Sequence, residues 1–152
     1  MDELNTAKRI IVLADDDLDD LMIFQDAFNE MNIDISLTIT NNGQHLMETL
    51  DNTVPPLPDL IFLDLNMPKK NGKECLNEIR STTKLSQIPV IIISTSQNDE
   101  TINEMYHMGA NYYICKPNDF STLIKLLKTV LSFSYQSMIS QPHRDNFFLT
   151  VA

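Results

Sequence analysis

Three short apolar runs recur along the chain, IIVLA from Ile10 to Ala14, LIFL from Leu60 to Leu63 and VIII from Val90 to Ile93, and each stops abruptly at Asp15, Asp64 or Ser94. Runs of this length, rich in β-branched or bulky residues and without polar alternation, read as strands buried on both faces, and such strands belong to a parallel sheet. ISLTIT, Ile35 to Thr40, alternates apolar and polar as a strand nearer the sheet edge should. A fifth run, YYIC from Tyr112 to Cys115, is closed by Lys116 and Pro117.

The segments between these runs carry helical spacing. Leu21, Phe24, Phe28 and Met31 recur at three- and four-residue steps, as do Phe120, Leu123, Leu127 and Val130. Shorter versions surround Leu46 and Leu50, Leu76 and Ile79, and Ile102 and Met105, the last ending at Gly109 in a C-cap position. Five βα units in series predict an open parallel sheet with helices on both faces, joined by right-handed crossovers. At 152 residues with 43% hydrophobic content, one folded unit is expected.

Composition removes several functions. The net charge of -10, from 21 acidic against 11 basic residues, opposes binding to a phosphate backbone, so no direct nucleic-acid partner is expected. No stretch approaches the roughly 18 apolar residues of a membrane span, and the start MDELNTAKR lacks a signal-peptide core, which predicts a cytoplasmic protein with no membrane partner. Cys75 and Cys115 have no C-x-x-C spacing, so neither a disulfide nor a metal role is expected of them. His45, His107 and His143 fall outside the strand-end loops and read as surface or helix residues.

Sheets of this kind build their functional site from the loops at the carboxyl ends of the strands. Those loops supply Asp15, Asp16 and Asp17 after the first strand, DLNMP beginning at Asp64 after the third, Ser94, Thr95 and Ser96 after the fourth, and Lys116 after the fifth. Two carboxylates about 4 Å apart repel by about 1 kcal/mol in water and about 4 kcal/mol at an effective dielectric of about 20, so such a cluster needs a cation. With no His or Cys beside them, the carboxylates favour a hard, oxygen-seeking ion such as Mg²⁺, which keeps waters and binds phosphate oxygens. That points to phosphoryl chemistry, with the hydroxyl and the ammonium holding the remaining phosphoryl oxygens. Taken singly, Ser94, Thr95 and Lys116 would be ordinary surface groups, and only their joint placement raises them. Asp17, Asp19 and Asp20 read instead as helix-start residues that cap free N–H groups.

The motifs VLADDD, IFLDLNMPKKNG, PVIIIST and YYICKP, in this order, resemble the receiver domain of two-component response regulators, the CheY-like fold, over roughly residues 8–133. The resemblance implies a flavodoxin-like (βα)5 doubly wound sheet in strand order 2-1-3-4-5. It implies that Asp64 is the phosphoacceptor, phosphorylated by a histidine kinase or a histidine phosphotransfer protein. Asp16 and Asp64 would bind Mg²⁺ through their carboxylates, Asp15 directly or through a water, with the backbone carbonyl of Asn66 completing the protein ligands. Ser94 takes the place of the family's hydroxyl that hydrogen-bonds the phosphoryl group, and Lys116 that of the lysine pairing with it. The bond before Pro117 is expected to be cis. Tyr113 stands at the aromatic switch position, entering space that opens when Ser94 is drawn to the phosphoryl group, and plain packing is its alternative. The protein would self-catalyse its phosphorylation and dephosphorylation and signal through a changed surface to a downstream protein target.

Residues 134–152 are too few for an ordinary output domain, which suggests a stand-alone receiver. The connection RSTTKLSQIP is similar to that of single-domain receivers found beside bacterial phytochromes. Within the tail, FFLTV (Phe147 to Val151) is apolar and strand-prone, so docking on its own domain or on a second copy, as a homodimer, stands beside a frayed end. Two other functions compete. A Mg²⁺-dependent phosphatase with an aspartyl-phosphate intermediate would need a general acid two residues beyond the nucleophile, where Asn66 stands. A receiver-like adaptor acting without phosphorylation would not need the full acidic and lysine set.

Overall fold

The computed structural model describes residues 8–151. All five expected strands form: β1 (Arg9–Ala14), β2 (Ile35–Thr40), β3 (Leu60–Asp64), β4 (Val90–Ser94) and β5 (Tyr112–Cys115). They pair in parallel in the order β2-β1-β3-β4-β5, as expected, and a sixth parallel strand, β6 (Phe148–Leu149), extends the sheet beyond β5. Every residue of β3 and β4 is buried, whereas β2, at the sheet edge, is mostly half-buried, and its one buried residue is the polar Thr40 rather than an apolar one of the alternation.

Helices α1 (Leu18–Glu30) and α5 (Phe120–Ser132) cover one face, and α2 (Gly43–Asn52), α3 (Gly72–Ser81) and α4 (Asp99–His107) the other. Successive strand residues point to opposite faces. Ile11, Leu13, Phe62 and Ile91 therefore pack under α1 and α5, while Val12, Ala14, Leu63 and Ile92 pack under α2, α3 and α4. The helices start promptly after the strand-end loops because Asp17, Asn42, Asn71, Asn98 and Asp119 each accept backbone N–H groups as N-caps. Gly109 ends α4 with φ of 100°, its N–H donating to the Tyr106 carbonyl at 3.0 Å, a turn that favours glycine.

Two periodicity assignments shift. Phe120 is 41% exposed rather than part of the apolar face of α5, because it is the first residue after the Asp119 cap and precedes the first packed turn. Leu126 and Leu131 are buried on that face beside Leu123, Leu127 and Val130. Met31 is the C-cap of α1, only partly buried.

After α5 the chain makes one short helix, α6 (Tyr135–Met138), then a 3₁₀ turn at Arg144–Asn146, and returns as β6 on its own domain. Phe147 is fully buried there. The Asn111 amide donates to the Met138 carbonyl, the Gln141 amide to the Ala110 carbonyl at 2.7 Å, and the Tyr106 hydroxyl to the Pro142 carbonyl at 2.9 Å. Cys75 and Cys115 are both free thiols, and burial pushes the Cys75 thiol up to about 11. Among the described residues no helix is long and apolar enough to cross a membrane.

Candidate functional site

The register of the central strands assembles the rim. Ala14 lies opposite Leu63, which sets Asp15 beside Asp64, and Asp64 lies opposite Ile93, which leaves Ser94 one residue beyond. Ser94 in turn faces Cys115, and the Lys116 N–H donates to the Ser94 carbonyl at 2.8 Å. Four consecutive strand ends therefore deliver three carboxylates, a hydroxyl and an ammonium to one place.

Asp15 and Asp64 are buried, as is Ser94, whereas Asp16 and Asn66 are exposed. Carboxylate oxygens of Asp15, Asp16 and Asp64 all lie within 4.8 Å of one another. Lys116 Nζ stands 2.9 Å from Asp15 Oδ2 and 3.4 Å from Asp64 Oδ1. The Ser94 hydroxyl oxygen accepts from the Ser96 N–H at 3.1 Å, which holds the β4–α4 loop over the rim.

Burial, reinforced by the Asp15 charge and opposed by Lys116, pushes Asp64 up to about 7. Burial works against charge on Lys116, but its hydrogen bond to Asp20, its ion pair with Asp15 and the charge of Asp64 prevail and raise it above the ordinary lysine range. One ammonium thus leaves the buried carboxylates incompletely compensated. Asp15 Oδ2 is buried and accepts no well-directed hydrogen bond, although it lies within ion-pair distance of Lys116. Its partner oxygen accepts from the Asp17 N–H at 3.0 Å. An under-satisfied buried oxygen in an all-oxygen donor set fits a hard divalent cation.

Three findings revise the expectations. Among the described residues the cis peptide bond is Pro55–Pro56, so the bond before Pro117 is not cis. Lys116 nevertheless reaches the carboxylates, aimed by the continuing hydrogen bond between its N–H and Ser94. Asp20, read as a helix-start residue only, brings Oδ2 to 2.8 Å from Lys116 Nζ and joins the site. The signal was available: with Asp17 as N-cap, Asp20 is the third helical residue, and that position reaches back toward the loop before the helix. Asp17 does cap α1, accepting from the Asp19 and Asp20 N–H groups at 2.9 and 3.3 Å. Finally, Tyr113 is already fully buried, its hydroxyl donating to the Ser96 carbonyl at 2.8 Å.

Gly72 is a further support that residue chemistry alone did not mark. A Cβ there would fall 2.3 Å from the Asp64 carbonyl oxygen, and the Gly72 N–H donates to the Leu65 carbonyl at 2.9 Å. The first turn of α3 is therefore packed directly on the backbone that carries Asp64.

Known proteins resemble the chain over most of its length. The chain is 35% identical over 136 residues to response regulator Rcp1 of Synechocystis, covering 87% of this chain and 92% of that one. The solved structure of the phosphorylated cyanobacterial phytochrome response regulator RcpA superposes with a TM-score of 0.77 at 33% identity, covering 90% of this chain and all of that one. The Mn²⁺-bound form of Rcp1 gives a TM-score of 0.74 at 32% identity, covering 89% and 99%. The response regulator receiver domain model matches residues 11–128. With the strand order, the acidic rim and these matches in agreement, the chain belongs to the response regulator receiver domain family and is a response regulator of two-component signal transduction.

Proposed function

We propose that Asp64 accepts a phosphoryl group from the phosphohistidine of a histidine kinase or histidine phosphotransfer protein, with Mg²⁺ at the acidic rim. The observation that carries this reading is the single ammonium of Lys116 set between Asp15 and Asp64, whose third carboxylate neighbour is the exposed Asp16. An Asp64 carboxylate oxygen attacks phosphorus, an O–P bond forms, and the histidine N–P bond breaks with its electron pair returning to the imidazole. Lys116 pairs with the phosphoryl oxygens and the Ser94 hydroxyl donates to one of them, both acting in a site that burial shields from water. Asp15, Asp16, Asp64 and the backbone carbonyl of Asn66 would hold Mg²⁺, which supplies charge neutralisation at those oxygens. The same groups would serve self-catalysed phosphorylation from small donors and hydrolysis of the acyl phosphate.

Residues 8–133 form the receiver proper in this reading, with 134–152 as an appended segment, and a downstream protein reads the altered surface. The solved structures show Rcp1 with Mn²⁺ bound and RcpA, a cyanobacterial phytochrome response regulator, in phosphorylated form, which makes a phytochrome-type kinase the first donor to test. The deciding experiment incubates the protein with acetyl phosphate and Mg²⁺ and measures intact mass. One hydroxylamine-labile phosphoryl group is expected on the parent and none on Asp64→Asn. Equal labelling of the two would refute the assignment.

A further inference from the structure

We propose that the docked C-terminal segment and a phosphoryl group on Asp64 stabilise each other through Tyr113, so that this tail is part of the switch. The inference rests on the phosphoacceptor reading of Asp64 and adds to it a second, intramolecular ligand of the same switch.

Tyr113 is held from both ends. Its hydroxyl donates to the Ser96 carbonyl at 2.8 Å, and the Ser96 N–H donates to Ser94 Oγ at 3.1 Å, so the phenol is tied to the loop that carries the phosphoryl-binding hydroxyl. The other end is covered by the tail. The Phe147 and Phe148 rings lie 6.3 and 5.8 Å from the Tyr113 ring, and the Tyr113 N–H donates to the Phe147 carbonyl at 3.0 Å. Phe147 is also seated edge-on against Tyr106 of α4 at 5.1 Å, and the Tyr106 hydroxyl bonds the Pro142 carbonyl. The route from β5 outward past α4 is therefore filled by tail residues.

The sign of the coupling follows. An outward Tyr113 ring would have to unseat Phe147, a fully buried side chain, so a docked tail and an inward ring occur together. In the switch role that the resemblance to receiver domains gives Ser94 and Tyr113, phosphorylation draws Ser94 toward Asp64 and favours the same inward ring. Two ligands that favour one state raise each other's affinity by the same factor, and such factors commonly fall between about 5 and 150. The tail thus acts as an activator of the phosphorylated state.

Hydrogen–deuterium exchange of residues 139–151 in the intact protein, with Mg²⁺ and with or without beryllofluoride as phosphoryl mimic, tests one direction. Beryllofluoride is expected to slow exchange there at least fivefold. Fluorine-19 NMR titration of beryllofluoride into a chain ending at Gln141, and into Phe147→Ala, tests the other. At least fivefold weaker binding with unchanged Mg²⁺ affinity is expected, and circular dichroism reports whether each variant is folded. If the intact protein binds beryllofluoride while tail exchange stays the same or quickens, the coupling is overturned and the phosphoacceptor reading stands. Undiminished binding by a folded variant overturns it equally. Failure of the intact protein to bind beryllofluoride removes the reading of Asp64 and the coupling with it.

Discussion

Replacing Asp64 with Asn should make the metal-free protein more stable. The Asp64 side chain is only 5% exposed and sits beside Asp15, which together push it from 3.8 up to about 7. A folded-state value above the unfolded one means that ionisation opposes folding. Below about pH 4 the group is protonated in both states and costs nothing; between about pH 4 and 7 the unfolded chain ionises first and the penalty grows; above about pH 7 it is constant. A difference of about three units is worth about 4 kcal/mol. Asn keeps the shape without the charge, and Lys116 retains Asp15 and Asp20. Urea unfolding at pH 8 in EDTA should show Asp64→Asn more stable by about 2–4 kcal/mol, with the gain falling by more than half at about pH 5. Added Mg²⁺ should narrow the gap, since a ligand at about one hundred times its dissociation constant stabilises the parent by about 2.7 kcal/mol. A variant no more stable than the parent at pH 8 without metal, or one with a pH-independent advantage, would refute the electrostatic argument.

The acidic run should divide by function: Asp16→Ala should abolish Mg²⁺-dependent phosphorylation by acetyl phosphate, whereas Asp19→Ala should retain labelling and lose no more than about 0.5 kcal/mol in urea unfolding. Gly72→Ala should destabilise by about 1–3 kcal/mol and slow labelling as well, because the added methyl collides with the Asp64 carbonyl rather than with a movable side chain. Labelling at the parental rate in that variant would show that the close approach does not position Asp64.

The order of strands and helices was legible because the buried strands are short apolar runs and the five longer helices between them carry apolar residues at three- and four-residue steps. The same legibility extended to Asp15, Asp16, Asp64, Ser94 and Lys116, since a parallel sheet places every strand's carboxyl end on one rim. Phe120 misled because periodicity does not mark where a cap starts the helix.

What the sequence by itself determined is therefore the set of elements, their parallel arrangement and the chemistry of the rim, all of which depend on local pattern and on one topological rule. What only the tertiary structure decided is which groups meet across elements distant in the chain. Lys116 finds Asp20 on α1, 96 residues away, because the start of α1 and the residue after β5 meet at the same rim of the sheet. Gly72 is required because α3 approaches the β3 backbone too closely for a side chain. The tail's apolar residues could have covered this domain or another copy; here Phe147 fills the space between Tyr106 and Tyr113, and β6 pairs with the otherwise open edge of β5. An apolar pattern specifies that a segment must be covered, but the shape and hydrogen-bonding edge of the surface it meets decide where.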